Sequence, residues 1–118
     1  APVLAVGCVG RTFARNDKPN PAAEHDLGLA AGNLCFEATA RGLYVHQMIG
    51  ILPDRVRELY GLPDHVDALT ALAIGHRAAP ETLSEKLRER DETPRERRPL
   101  PEFVFAGGWE QAASFADA

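Results

Sequence analysis

At 118 residues the chain has room for one domain with a self-standing core, because a chain this long buries roughly two-thirds of the surface it exposes when unfolded. Hydrophobic residues at 45% and charged residues at 25% exclude whole-chain disorder, collagen-like repeats and coiled coil. Lys and Arg number 13 against 17 Asp and Glu, and the net charge of −4 argues against a nucleic-acid partner.

The two cysteines, Cys8 and Cys35, are flanked by apolar residues and form no CxxC pair. That is the pattern of free, buried thiols in a reducing cytoplasm. No apolar run approaches the ~20 residues that cross a bilayer. VLAVGC has the outline of a lipoprotein cleavage box, but no basic leader precedes it. The chain enters an apolar strand straight after Ala1-Pro2, without an initiator methionine, and so reads as the middle of something longer.

In chain order, PVLAVGCV (2–9) is a continuous apolar run closed by Gly10, a buried strand. Residues 10–20 are polar and turn-rich, a surface loop. A helix follows over 21–41, with Asn20 as its cap and Pro21 at the first helical position, where no N–H is needed. Glu24 and Asp26 suit the positive end of its dipole, Arg41 the negative end, and Gly42 the stop. Leu27, Ala30, Ala31, Leu34 and Ala38 form one apolar stripe; Leu29, Gly32, Phe36 and Ala40 form a second. A helix apolar on two faces is central or shared with a partner.

LYVHQ (43–47) reads as a short strand and MIGIL as a loop. PDRVRELY (53–60) suits an amphipathic helix with Val56 and Leu59 inward and Gly61 at its end. DALTALAIG (67–75) is helical or extended by composition, and its brevity favours a buried strand. ETLSEKLRERD (81–91) is helical by propensity, with Leu83 and Leu87 on one side. From Thr93 a proline-punctuated extended tail carries Phe103, Phe105 and Trp109, aromatic residues suited to docking. This order predicts a single-domain α/β or α+β protein with helices on the sheet faces.

Several site signatures are missing. The chain has no GxGxxG after a strand, no GxxxxGK[ST] loop and no GxSxG elbow. His25, His46, His65 and His76 lack the spacing of zinc ligands, and His46 reads as a hydrogen-bonded core histidine. No carboxylate pair stands out for acid–base work. Two features remain. In the segment His46 to Ile51, a glycine between a strand and a helix would let backbone approach a flat ligand, or would simply make the turn. Arg95, Arg97 and Arg98 would grip a phosphate through bidentate hydrogen bonds, or would form a solvated cluster among the six basic and six acidic residues of 81–98.

Taken as an ordered set, three segments resemble the nitroreductase family of flavin enzymes: DLGLAAGNLCFEATARGLYVHQMIGI, PDRVRELYGLPDHVDALTALAIGH and RERRPLPEFVFAGGWEQ. The resemblance covers roughly residues 2–111 and looks like the C-terminal portion of a family member, with the N-terminal half absent. It implies an α+β fold with a central, mostly antiparallel sheet flanked by helices. It also implies FMN as cofactor, NAD(P)H as co-substrate and a nitroaromatic, quinone or related small-molecule acceptor. An intertwined homodimer with the flavin at the interface follows from it too, with the two-faced helix in the dimer core. On this resemblance the backbone of Gln47, Met48, Ile49 and Gly50 faces the flavin ring near N5 and O4. Arg95 and Arg97 match the basic pair that contacts the FMN phosphate, and Arg98 is a third candidate. Ile49 departs from the small or acidic residue usual at its position.

The resemblance implies no side-chain acid or base in this portion, since the flavin performs the redox step. Two other readings stay open at this point: a non-catalytic dimerisation half-domain that needs a partner chain, and a flavin-binding sensor without turnover.

Overall fold

Three apolar stretches pair as antiparallel strands: β1 (Val3–Gly10), β2 (Tyr44–Met48) and β3 (Val66–Gly75). Their spatial order is β1-β3-β2, so the last strand in sequence is the central one. That placement accounts for the near-continuous apolar character of VDALTALAIG. Ala71 and Leu72 are neighbours that point to opposite faces, and both are buried. The register runs from Val3 opposite Ile74 to Gly7 opposite Thr70, then shifts so that Cys8 faces Ala68. Leu69 is thus the extra residue of a β-bulge.

The structure is a computed structural model and describes residues 1–114. By its contacts the chain divides into two units, Ala1–Ala78 and Ala79–Ala118. The first holds the sheet together with α1 (Ala23–Ala40) and α2 (Pro53–Tyr60). This is an α+β architecture. Among the described residues no helix is long and apolar enough to cross a membrane.

α1 lays an alanine face on the sheet: Ala23, Ala31 and Ala38 are buried, and their small side chains let the helix lie close. It begins two residues later than the sequence predicts. Asn20 is not the cap; its Oδ1 accepts the Ala22 N–H at 3.2 Å, making an Asx turn that feeds Ala22 into the capping position. Pro21 lies in that turn, ahead of the first helical residue. At the other end Gly42 supplies the stop, with a φ of 72°. Its N–H donates to Thr39 O at 3.0 Å and the Leu43 N–H to Ala38 O at 2.8 Å, the paired bonds of a Schellman motif. Arg41 is the C-cap residue and ion-pairs with Glu37 at 2.5 Å. The second apolar stripe of α1 lies open: Leu29 is exposed and Phe36 is 78% exposed.

α2 starts on Pro53 and ends on Gly61, whose φ of 62° is left-handed. Here the predicted inward face is wrong in one residue. Val56 is half-buried, but Leu59 is 70% exposed, and Arg57 takes the inward place. Leu4, Val6 and Cys8 of β1, with Val56, Tyr60 and Leu62, line a shallow apolar groove of about 250 Å³. These β1 residues alternate with Gly7, which faces α1, so the two helices occupy opposite faces of the sheet. His46 is exposed on edge strand β2, not the core histidine its apolar neighbours suggested.

The second unit contains a short 3-10 turn at Pro80–Thr82 and α3 (Glu85–Glu92), which starts four residues later than propensity predicts. Leu83 and Leu87 are exposed. The tail is not wholly extended. It has a 3-10 turn at Leu100–Glu102 and a hairpin in which Phe105 bridges Ala112. Ala113 is buried there, and Trp109 meets Phe105 edge-on with ring centroids 5.2 Å apart.

Candidate functional site

The end of β2 and the turn that follows hold Gln47, Met48, Ile49 and Gly50 in the first unit. Gln47 and Met48 belong to the strand, opposite Leu72 and Ala71, so the loop proper begins at Ile49. The Ile51 N–H donates to Ile49 O at 2.9 Å, which closes a tight three-residue turn centred on Gly50. The amides of Ile49 and Gly50 donate no backbone hydrogen bond among the described residues. Both residues are exposed, Ile49 by 87%, and Leu52 adds a second exposed apolar side chain beside them.

Glycine at position 50 is not demanded by the chain itself. Its φ lies outside the left-handed range, and among the described residues nothing stands within 4 Å of the point a Cβ would occupy. The missing side chain therefore leaves bare backbone facing open space. A turn with free N–H donors, a bare glycine and an apolar rim can accept a flat ring with hydrogen-bond acceptors on one edge.

Two side chains anchor this turn from behind. The Gln47 Nε2 donates to Cys35 Sγ of α1 at 3.0 Å. The Thr70 hydroxyl, on the central strand, donates to Met48 O at 2.8 Å. Sequence reading did not single out Thr70. The available signal was a lone hydroxyl in the apolar core of DALTALAIG.

A second cluster, also missed, ties α2 to the sheet. Arg57 Nη1 donates to Leu62 O at 3.1 Å and to Pro63 O at 2.6 Å, while Nη2 reaches Val66 O at 2.7 Å and Asp67 Oδ1 at 3.0 Å. Asp67 Oδ2 in turn accepts from Arg11 Nε at 2.7 Å, and Arg11 Nη1 donates to Glu24 at 2.7 Å. Arg11, by its hydrogen bond first and its charge second, holds the Asp67 carboxyl below the usual range, with Arg57 adding to the effect. Arg11 is raised by the same partners. Every member is satisfied by another, so this network is structural. The signal for it was an arginine one turn before Gly61, where the carbonyls past a helix end need donors.

The arginines of the tail lie in the second unit. Arg95 and Arg97 are both exposed. Arg95 makes no hydrogen bond or ion pair among the described residues, and Arg97 makes one weak contact with Glu96 O at 3.5 Å. Arg98 is different. Its Nε pairs with Glu102 Oε2 at 3.2 Å, its Nη2 donates to Glu102 O at 3.1 Å, and its guanidinium lies over the Phe103 ring at 5.8 Å. The structure therefore separates Arg98, which is engaged, from Arg95 and Arg97, which have donors to spare.

This arrangement has relatives. A family model described as the nitroreductase family matches residues 1–76. An uncharacterized 15.4 kDa protein in the ask 5′ region of Mycolicibacterium smegmatis is 39% identical over 84 residues, covering 71% of this chain and 56% of that protein. An oxidoreductase containing FMN superposes with a TM-score of 0.81 at 29% identity, over 90% of this chain and 55% of that one. A nitroreductase family protein from Clostridium difficile 630 superposes with a TM-score of 0.66 at 23% identity, over 92% of this chain and 60% of that one, a likeness of fold alone. The chain thus spans a little over half the length of these relatives. With the family model matched across all three strands and both sheet-covering helices, the chain belongs to the nitroreductase family.

Proposed function

We propose that the chain is part of an FMN-dependent oxidoreductase of the nitroreductase type. It would draw on NAD(P)H and reduce nitroaromatic, quinone or related small-molecule acceptors. The observation that carries this reading is the turn at Ile49–Ile51, with two undonated amides, a bare glycine and the exposed Ile49 and Leu52 beside it.

The residues fit a flavin. The Ile49 and Gly50 amides would donate to the acceptor edge of the ring, and Ile49 and Leu52 would cover its apolar part. Arg95 and Arg97 would hold the phosphate, because their guanidinium groups are less engaged than that of Arg98. FMN, when bound, supplies the hydride chemistry. The chain's own work is to bind and orient, with fixed N–H dipoles aimed where negative charge grows. No side chain of the turn offers an acid or base, consistent with a cofactor that carries the reaction.

The outer face of α1, with Leu29 and Phe36 exposed on either side of Gly32, supports a homodimer in which a second copy covers it. The same face also suits the second reading, a non-catalytic module that associates without flavin. An absorption spectrum after adding FMN and removing the unbound fraction separates the two. Retained flavin, weakened about tenfold or more in an Arg95→Ala, Arg97→Ala double variant, supports the oxidoreductase reading. A colourless oligomer favours the module, and flavin affinity unchanged in the double variant removes the phosphate assignment.

A further inference from the structure

The two γ atoms of Thr70 point to opposite neighbours. Its methyl occupies the space left by Gly7 on β1: a Cβ on Gly7 would stand 2.5 Å from Thr70 Cγ2. Its hydroxyl points towards β2 and donates to Met48 O at 2.8 Å. The alternative acceptor, Ala71 O, lies at 3.5 Å and is the weaker partner. Only a β-branched residue with one methyl and one hydroxyl does both, and only a glycine across the ladder admits the methyl on that side.

The acceptor matters because of which peptide it belongs to. Met48 C=O and Ile49 N–H are parts of one planar, trans peptide unit, in which carbonyl and amide point in opposite directions. Met48 pairs with Ala71 at the last rung of the β2–β3 ladder, and a hydroxyl that holds its carbonyl towards β3 there keeps the Ile49 N–H turned away from the sheet. Ile49 is exposed and its amide has no backbone acceptor among the described residues. We infer that Thr70 is the positioning residue that aims the Ile49 N–H outward at the acceptor edge of a bound flavin. The inference rests on the flavin reading above and names the side chain that orients its donor. Thr70 itself stays behind the turn, half-buried, and would act through the Met48–Ile49 peptide.

The test compares Thr70→Val, which keeps the shape and removes the hydroxyl, with Thr70→Ser, which keeps the hydroxyl and removes the methyl. In the full chain, FMN affinity is followed by flavin fluorescence, and the Ile49 amide by its nitrogen chemical shift without flavin. The denaturation midpoint of each variant is measured alongside. The expected result is an FMN affinity about tenfold weaker in Thr70→Val and within about twofold of the parent in Thr70→Ser, with a displaced Ile49 shift only in Thr70→Val. Parent-like affinity in Thr70→Val, or equal losses in both variants, overturns the positioning role. If the parent chain binds no FMN, the flavin reading fails instead. The Ile49 shift then still decides: unmoved in Thr70→Val, it shows that the hydroxyl does not set this peptide.

Discussion

The methyl carbon of Thr70 lies 2.5 Å from the point at which a side chain on Gly7 would begin, and Leu27 Cδ1 of α1 lies 3.0 Å from the same point. Three elements thus converge on one missing Cβ. Leu27 has a flexible end and can yield, whereas Thr70 has a short side chain held by its bond to Met48 O. In Gly7→Ala, overpacking should cost about 1–3 kcal/mol, against a gain of about 0.5–1 kcal/mol from a less flexible unfolded chain. The expected outcome is a net loss of about 1 kcal/mol in denaturant unfolding, near the middle of the difference between those two terms. Adding Thr70→Ser removes the obstructing methyl and should recover at least half of the loss. A double variant no more stable than Gly7→Ala would show that the crowding lies elsewhere.

Arg57 is the half-buried, inward-facing cation of α2, with bonds to three backbone carbonyls and one carboxylate. Removing it leaves the carbonyls of Leu62, Pro63 and Val66 without this donor at the turn into β3. Arg57→Ala should cost roughly 2 kcal/mol, in the range for hydrogen bonds involving a charged group. Among the described residues Arg55 on the same helix makes only an exposed pair with Glu58, so Arg55→Ala should stay within about 0.5 kcal/mol of the parent. Chemical unfolding of both variants checks the contrast. Equal effects would mean that charge on α2, not the bonds of Arg57, is what matters.

Asp67 has its carboxyl lowered from 3.8 by Arg11 and Arg57. A carboxyl lowered on folding stabilises the native state above its unfolded value, and that contribution is lost as pH falls through the folded value. The stability difference between the parent and Asp67→Asn should therefore be flat from about pH 5 to 8 and shrink below about pH 4. Arg11 is shifted upward, so its share is present across this whole window and lost only in strong alkali. Thermal unfolding at a series of pH values reads the difference directly. A gap that widens in acid would contradict the direction of the Asp67 shift.

Much of this was legible in the sequence, and the gaps have physical causes. The three strands stand out as apolar runs bounded by turn residues, and Gly42 marks the end of α1 because only a left-handed residue closes that motif without strain. Strand order was not legible from local pattern, because β3 pairs with strands that precede it by tens of residues. Leu59 and Arg57 exchange their expected places, since hydrophobic periodicity counts every arginine as outward. A guanidinium that satisfies four acceptors can turn inward and be half-buried where a leucine was expected. The split between Arg98 and its two neighbours was also hidden. Glu102 lies four residues on, but Pro99 and Pro101 between them give no reason to expect that pair to meet.

The outer face of α1 gives the remaining prediction. Leu29, Gly32 and Phe36 fall at i, i+3 and i+7, one side of the helix, and Phe36 is 78% exposed. Among the described residues nothing stands within 4 Å of a Cβ built on Gly28 or Gly32, so a second backbone can come close at both. A buried phenylalanine in such a contact would contribute on the order of 2 kcal/mol per copy by area. Phe36→Lys replaces it with a charge that would lose its hydration in the interface, while leaving the alanine face of α1 on its own sheet undisturbed. Sedimentation should show the parent as a dimer and Phe36→Lys as predominantly monomer at micromolar concentration, with unchanged helix content. A variant that remains dimeric would place the second copy on another surface, and a monomeric parent would remove the dimer proposal altogether.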